Sequence, residues 1–478
     1  MPDTKSTFTL SQLRKKHPKF TYLSYSWQVD GGSLIANFEF LIEPGISFRP
    51  SITIDSVTDS KIQTLSRQVI NNQIFNLGLV EMISYWKVAC SPLIEIQAGR
   101  LSREQRLWWK DLMIDGLGEF FFVNNIDFRE EEFIQIECLN STKTGEQQRS
   151  LDNKQKTIDT LVLTSGGKDT ALTLSLLHAE AIAFGSILLN PTKASLDLAS
   201  INEAVESIIV RREIDPKLLE LNSNGYLNGH TPFSAYLAFL SVLVATIFDY
   251  KNVLVSNERS SNEGNVTFLG KEINHQFSKT SNFEKNFELY SKKYLSNKIN
   301  YFSFLRPLYE IQIAAMLTNF KSVLYRFKSC NRNYKTNSKC GSCPKCLAVY
   351  IMIFPFLNKG EIDTIFANAP FSNPSNIPIL NDLLGFGVHK PFECVGTYEE
   401  TILGLFLGLR KAREDYDELP ALWLYVQNQG ILENIDNLEG KARDVLTSWY
   451  ESHRVPQPYE GILRKSFERY LKNRYGVS

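Results

Sequence analysis

The sequence predicts an α/β fold, with a doubly wound parallel sheet at its centre, an α+β region ahead of it and a helical region behind. Three observations predict it. Apolar runs of parallel-strand character at Ile158 to Thr164, Ile182 to Leu189 and Asn252 to Ser256 alternate with helical patterns such as Ser234 to Phe248. Ahead of them, Phe20 to Ile54 reads as short antiparallel strands, broken by turn residues at Asp30-Gly31-Gly32 and Pro44-Gly45. From about Gly360 helical patterns dominate, punctuated by Pro391, Pro420, Pro456 and Pro458.

In chain order, the N-terminal strands are followed by two stretches with apolar residues at three- and four-residue steps, Ile62 to Cys90 and Arg103 to Phe121. Strands and helices together predict an α+β domain over 1–150. Asn140 to Lys156 is polar and poor in apolar groups, and is expected to link two modules. The parallel-sheet core is then expected over 151–358 and the helical region over 359–478. A chain of 478 residues accommodates about three domains of ordinary size. Lysine plus arginine (52) balance aspartate plus glutamate (52), so no global positive field recruits nucleic acid. The opening residues lack an apolar signal region and no run of about 18 apolar residues occurs, so the expectation is a cytoplasmic protein that does not span a membrane.

The first parallel strand runs directly into Ser165-Gly166-Gly167-Lys168-Asp169-Thr170, and a helical run follows. Two glycines let successive N–H groups converge on one anion, and the helix adds its positive N-terminal end. Walker loops keep four residues between their glycines, and the dinucleotide fingerprint needs Gly-x-Gly-x-x-Gly. This loop fits neither. Its order resembles the PP-loop of N-type ATP pyrophosphatases, which implies ATP as ligand, a pyrophosphate in the loop and adenylation as the chemistry.

Polar residues crowd the exit of a later strand, at Ser256 to Asn265. Such exits face the ligand crevice of a doubly wound sheet. Glu258 or Glu263 is expected to help hold magnesium there, and Arg259 to take developing phosphate charge. Next comes Asn274-His275-Gln276-Phe277-Ser278-Lys279, where His275 suits proton transfer. His230, just before a long apolar helix, is a weaker candidate of the same kind.

Of seven cysteines, four fall at Cys330, Cys340, Cys343 and Cys346, a spacing for a closed tetrahedral metal shell rather than a disulfide framework. Zinc in a structural role is the expectation, with an iron–sulfur cluster as the alternative. Cys394, in Lys390-Pro391-Phe392-Glu393-Cys394, is a candidate proton-carrying thiol, whereas Cys90 reads as a packing residue and Cys138 carries no signal.

A PP-loop followed by clustered cysteines resembles the QueC-type deazaguanine nitrile synthases over about Ile158 to Pro355. A wider resemblance is to the MurL family. It is carried by Leu79 to Lys87, Gly116 to Glu119, Ser256 to Asn265, Asn274 to Lys279, Leu305 to Leu308, Ser329 to Asn333, Cys340 to Cys346 and Lys390 to Gly396. That resemblance implies ATP- and magnesium-dependent epimerisation of the terminal L-glutamate of UDP-N-acetylmuramoyl-L-alanyl-L-glutamate, for peptidoglycan precursors. The small-molecule partner would be that UDP-muramoyl dipeptide. On this reading Ser165 to Thr170 hold ATP, Glu258 or Glu263 helps hold magnesium, Lys168 and Arg259 neutralise phosphate charge, and His275 and Cys394 carry the proton. Two other classes are an amidating ligase of the QueC type and a non-catalytic nucleotide-binding scaffold or defence protein.

Overall fold

The computed structural model describes residues 6–138, 158–333, 336, 338–367, 369–433 and 435–476. The expected link at 140–156 lies wholly outside the described residues. Strands β1 (Lys19–Asp30) and β2 (Ser33–Ile42) form a hairpin across Gly31 and Gly32, whose φ of 54° and 77° explains two glycines at the turn. Every second residue of β2, from Leu34 to Ile42, is buried, as its apolar alternation requires. β3 (Ile46–Phe48) and β4 (Ser51–Asp55) pair antiparallel with β2, while β5 (Leu93–Ile96) and β6 (Gln135–Cys138) extend the β1 side in parallel.

The expected parallel strands are β7 (Thr160–Leu163), β8 (Phe184–Leu189) and β10 (Asn252–Val255), joined by β9 (Glu206–Glu213) and β13 (Asn300–Ser303). A separate two-stranded hairpin, β11 (Val266–Phe268) with β12 (Lys271–Ile273), lies between β10 and β13 in the chain. The main sheet runs β13-β10-β7-β8-β9-β4-β2-β1-β5-β6, with β3 on β2. Its parallel half therefore has doubly wound order, and the direction of winding reverses between β7 and β10. The two sheets suggested by the sequence are one, because β9 pairs antiparallel with β4 from Ser51↔Glu213 to Ile54↔Val210.

Alternating residues of the parallel strands feed two cores. Leu161, Val253, Val255 and Tyr301 pack with the helices Arg67–Trp86, Phe233–Phe248 and Ser281–Tyr294. Val162, Leu254 and Phe302 pack on the other face with the helices Lys168–Ala179, Glu310–Leu317 and Pro344–Ile353 and with the C-terminal helices. Phe233–Phe248 carries no charge and is apolar all round, which suits a helix enclosed by the first core. The expected single stretch Arg103 to Phe121 is two helices, Arg103–Gly116 and Gly118–Val123, broken at Leu117 where ψ is 12°. Among the described residues no helix is long and apolar enough to cross a membrane.

Candidate active site

Three adjacent parallel strands, β7, β10 and β13, each deliver a carboxylate to the crevice at their C-terminal ends. Asp169 comes from the helix after β7, Glu258 from the loop after β10, and Glu310 opens the helix Glu310–Leu317 after β13. Their carboxylate oxygens lie within 4.8 Å of one another, close enough to share one cation. Glu258 and Glu310 are buried. Burial, with Glu310 and Asp169 alongside, pushes Glu258 up to about 7. Burial acts on Glu310 in the same direction, but Lys168 and Lys345 outweigh it and hold that group low. Among the described residues this oxygen-rich set, which Lys168 and Lys345 already face, has the donor atoms that suit magnesium.

The glycine loop stands against this cluster. Its helix starts at Lys168 without a side-chain cap from Gly167; Lys168 N is taken by Ser329 Oγ, and the next first-turn N–H groups, of Asp169 and Thr170, are left for an anion. Ser165 Oγ accepts from Gly167 N at 3.3 Å and lies 2.9 Å from Thr170 Oγ1, so the hydroxyls brace the turn. A Cβ on Gly166 would come 2.8 Å from Ala194 Cβ, which explains glycine at that position. Lys168 does not reach outward. Its side chain is fully buried, and the ammonium contacts Asp169 and lies 3.1 Å from Glu310 Oε2. It balances the carboxylates, so the expectation that it meets phosphate charge directly is not what the geometry favours.

The guanidinium of Arg259 stacks over Tyr309 and Tyr450, with 4.2 and 4.9 Å to the ring centroids. One further expectation changes. Glu263 turns away from the carboxylates. It pairs with Lys390 at 2.9 Å and accepts from Tyr398 N at 3.2 Å.

Those bonds help hold the segment that carries Cys394. Lys279 Nζ lies 3.1 Å from Cys394 Sγ, and His275 stands close enough to act on the same thiol. Burial alone would raise the thiol, but Lys279, His275 and Lys345 prevail and hold it at about 5. Burial disfavours a charged His275, yet Cys394 and Glu119 lift it to about 9. The pair is thus a thiolate facing an imidazolium over the intervening pH range. Glu119 Oε2 meets His275 Nδ1 at 2.5 Å and lies 3.6 Å from His230 Nδ1, and the two imidazole rings are 4.4 Å apart.

Cys330, Cys340, Cys343 and Cys346 bring their sulfurs within 4.8 Å of one another, with no disulfide among them. Backbone N–H groups of Asn333, Cys340, Ser342 and Cys346 each donate to one of these sulfurs at 3.4 Å, as suits thiolates around a metal. Gly341 takes a φ of 69° in the tight turn between ligands. The donor set fits zinc in a closed shell.

This loop touches both polar clusters. Lys328 N donates to Gly166 O at 2.7 Å, and Ser329 Oγ accepts from Lys168 N at 3.3 Å, so the segment before Cys330 supports the glycine loop. Lys345, between Cys343 and Cys346, lies 3.6 Å from Glu310 Oε1, and its ammonium donates to the carbonyl of Cys394. Glu310, Glu119 and Lys345 were not singled out in the sequence. Glu310 escaped because β13 was missed; the rule that strand exits face the crevice would otherwise have found it.

Two family models match the chain, the MurL N-terminal domain over residues 11–304 and the MurL C-terminal domain over 326–430. A protein of Micromonospora sp. is 28% identical over 466 residues, covering 95% of this chain and 99% of its own. One from Salinispora tropica is 27% identical over 405 residues (83% and 86%), and one from Xanthomonas oryzae pv. oryzae is 30% identical over 337 (68% and 72%). Each of the three is named UDP-N-acetyl-alpha-D-muramoyl-L-alanyl-L-glutamate epimerase. No solved structure matches. With its N-terminal match spanning well over half of its length, the chain belongs to the MurL family.

Proposed function

We propose that this protein inverts the terminal L-glutamate of UDP-N-acetylmuramoyl-L-alanyl-L-glutamate to D-glutamate, using ATP as co-substrate, in the making of peptidoglycan precursors. The observation that carries this reading is a carboxylate-and-glycine-loop crevice coupled through Lys345 to a thiolate–imidazolium pair. Family membership supplies the substrate class.

An α-proton beside a free carboxylate is barely acidic, because its removal stacks a second negative charge on the same few atoms. Transfer of AMP onto that carboxylate, with pyrophosphate leaving, removes this obstacle. The glutamate nitrogen is already acylated by alanine, so a Schiff base has no amine to form on. Ser165 to Thr170 would cradle the phosphates through backbone N–H groups and hydroxyls. Asp169, Glu258 and Glu310 would hold magnesium, which when bound neutralises phosphate charge. Cys394, held as thiolate by Lys279 and His275, would then take the α-proton. His275, beside that thiol, helps keep it ionised. A proton from solvent enters at the opposite face, Cys394 gives its own proton up to solvent, and hydrolysis then releases the D-acid and AMP. The four cysteines would hold structural zinc that keeps the glycine loop and Lys345 in place.

The test is direct. Purified protein is incubated with the muramoyl dipeptide, ATP and magnesium, and both AMP and the chirality of the released glutamate are measured. D-Glutamate formed together with AMP supports the reading. Inversion at the same rate without ATP, or AMP formation without inversion, contradicts it.

A further inference from the structure

Glu119 sits on the short helix Gly118–Val123, far in sequence from the other polar residues of the site. A single oxygen of this carboxylate, Oε2, faces Nδ1 of both His275 and His230. With Nδ1 of His275 engaged, Nε2 is the nitrogen left for Cys394. Lys87 donates to the carbonyl of Gly229, beside His230; burial brings that ammonium down to about 8, with Glu119 opposing the fall. Lys279 stands against Cys394. A divalent ion among Glu119, His230 and His275 would therefore sit in a neighbourhood already rich in ammonium groups, whereas a shared proton suits it.

We propose that Glu119 is the positioning residue of proton transfer: it orients His275 toward Cys394, stabilises the imidazolium, and confines the two facing histidines to a single positive charge. The role of this relay in inversion rests on the function proposed above, but its geometry does not. His230 is the neutral member, driven well below the ordinary imidazole range by burial and then by His275, Lys87 and Lys279. A carboxylate behind a histidine that faces a nucleophile or base has this effect generally, fixing the ring and its charge without touching substrate.

The test uses the full-length, metal-loaded protein without substrate. Alkylation of Cys394 by iodoacetamide, followed peptide by peptide across pH, should show two inflections in the wild type, near 5 where the thiol ionises and near 9 where His275 loses its proton. Removal of the carboxylate charge lowers the affinity of His275 for its proton. Glu119→Gln should therefore move the upper inflection down by about one unit or more while the lower one stays. Glu119→Asp, which keeps the charge, should leave the upper inflection near its wild-type position. An upper inflection that stays put in Glu119→Gln, or that falls equally in Glu119→Asp, overturns the proposal. With dipeptide and ATP, deuterium wash-in at the α-carbon should fall about a hundredfold or more in Glu119→Gln, and AMP formation by less than tenfold. An equal loss of both also overturns it. A wild type that fails to invert the dipeptide sinks the proposed function, and the alkylation result still decides the role of Glu119.

Discussion

The crevice cluster and the thiol cluster are both assembled from distant segments, yet they differ in the charge they leave unbalanced. Asp169, Glu258 and Glu310 present three carboxylates to Lys168, with Lys345 behind Glu310. Around Cys394, Lys279 and His275 face one thiol, and Glu119 answers for two histidines. The first arrangement favours a cation and the phosphates that accompany it, and the second stabilises an anion and moves a proton. The two are not independent, because Lys279 acts on Glu258 and Asp169 as well as on Cys394. Lys345, held between two cysteines, is the second point where they meet.

The comparison can be broken most severely at that junction. Cys346→Ser, or removal of the metal by a chelator, should abolish AMP formation and inversion together and lower the melting temperature, because the glycine loop and Lys345 lose their support. Retention of either activity in metal-free protein would show that the loop is dispensable.

Separation of the two clusters is the next prediction. Asp169→Asn should cut AMP formation by about a thousandfold, since magnesium loses a ligand worth several kcal/mol of charge stabilisation. Cys394→Ala should cut α-carbon wash-in by about a hundredfold to ten-thousandfold while AMP formation falls far less. Steady-state AMP release and mass-resolved deuterium content distinguish these outcomes, and equal losses in both variants would merge the clusters into one.

The acidity of the site sharpens the contrast further. Below about 5 Cys394 gains a proton and ceases to be a base, and above about 9 His275 loses the charge that holds the thiolate. Wash-in should therefore be lost outside those limits, and ionisation of Glu258, pushed up to about 7, should add an inflection between them when magnesium is not saturating, as a profile of rate against pH would reveal. The smallest effect is expected at Gly166→Ala. A Cβ at 2.8 Å from Ala194 must push the loop aside by a few tenths of an ångström, weakening ATP binding by about tenfold, or about 1.4 kcal/mol.

How much of this was legible in the sequence follows from how local each signal is. The loop Ser165 to Thr170 with the strand before it, and the four cysteines, lie within short stretches, and local spacing reveals them. His275 and Cys394 were visible as polar residues in unusual company, but their contact joins segments over a hundred residues apart. Arg259 and Glu263 share a polar stretch with Glu258, and the sequence cannot tell which side chains of one loop turn inward. Tyr309 and Tyr450 claim Arg259, and Lys390 claims Glu263. β9 escaped notice because Glu-Ser-Ile-Ile-Val-Arg-Arg-Glu ends in charges; Arg212 is satisfied there by Glu81 at 2.7 Å, a partner on another element. Fusion of the two expected sheets through β4 and β9 was invisible for the same reason.

The central claim is that activation of the carboxyl group at one cluster makes the α-proton available to the other. Incubation of the wild-type protein with the dipeptide in deuterium oxide, with ATP and with an analogue whose α–β bridge cannot be cleaved, tests it most directly. Deuterium should enter the α-carbon with ATP and stay out with the analogue. Equal entry in both would contradict the account.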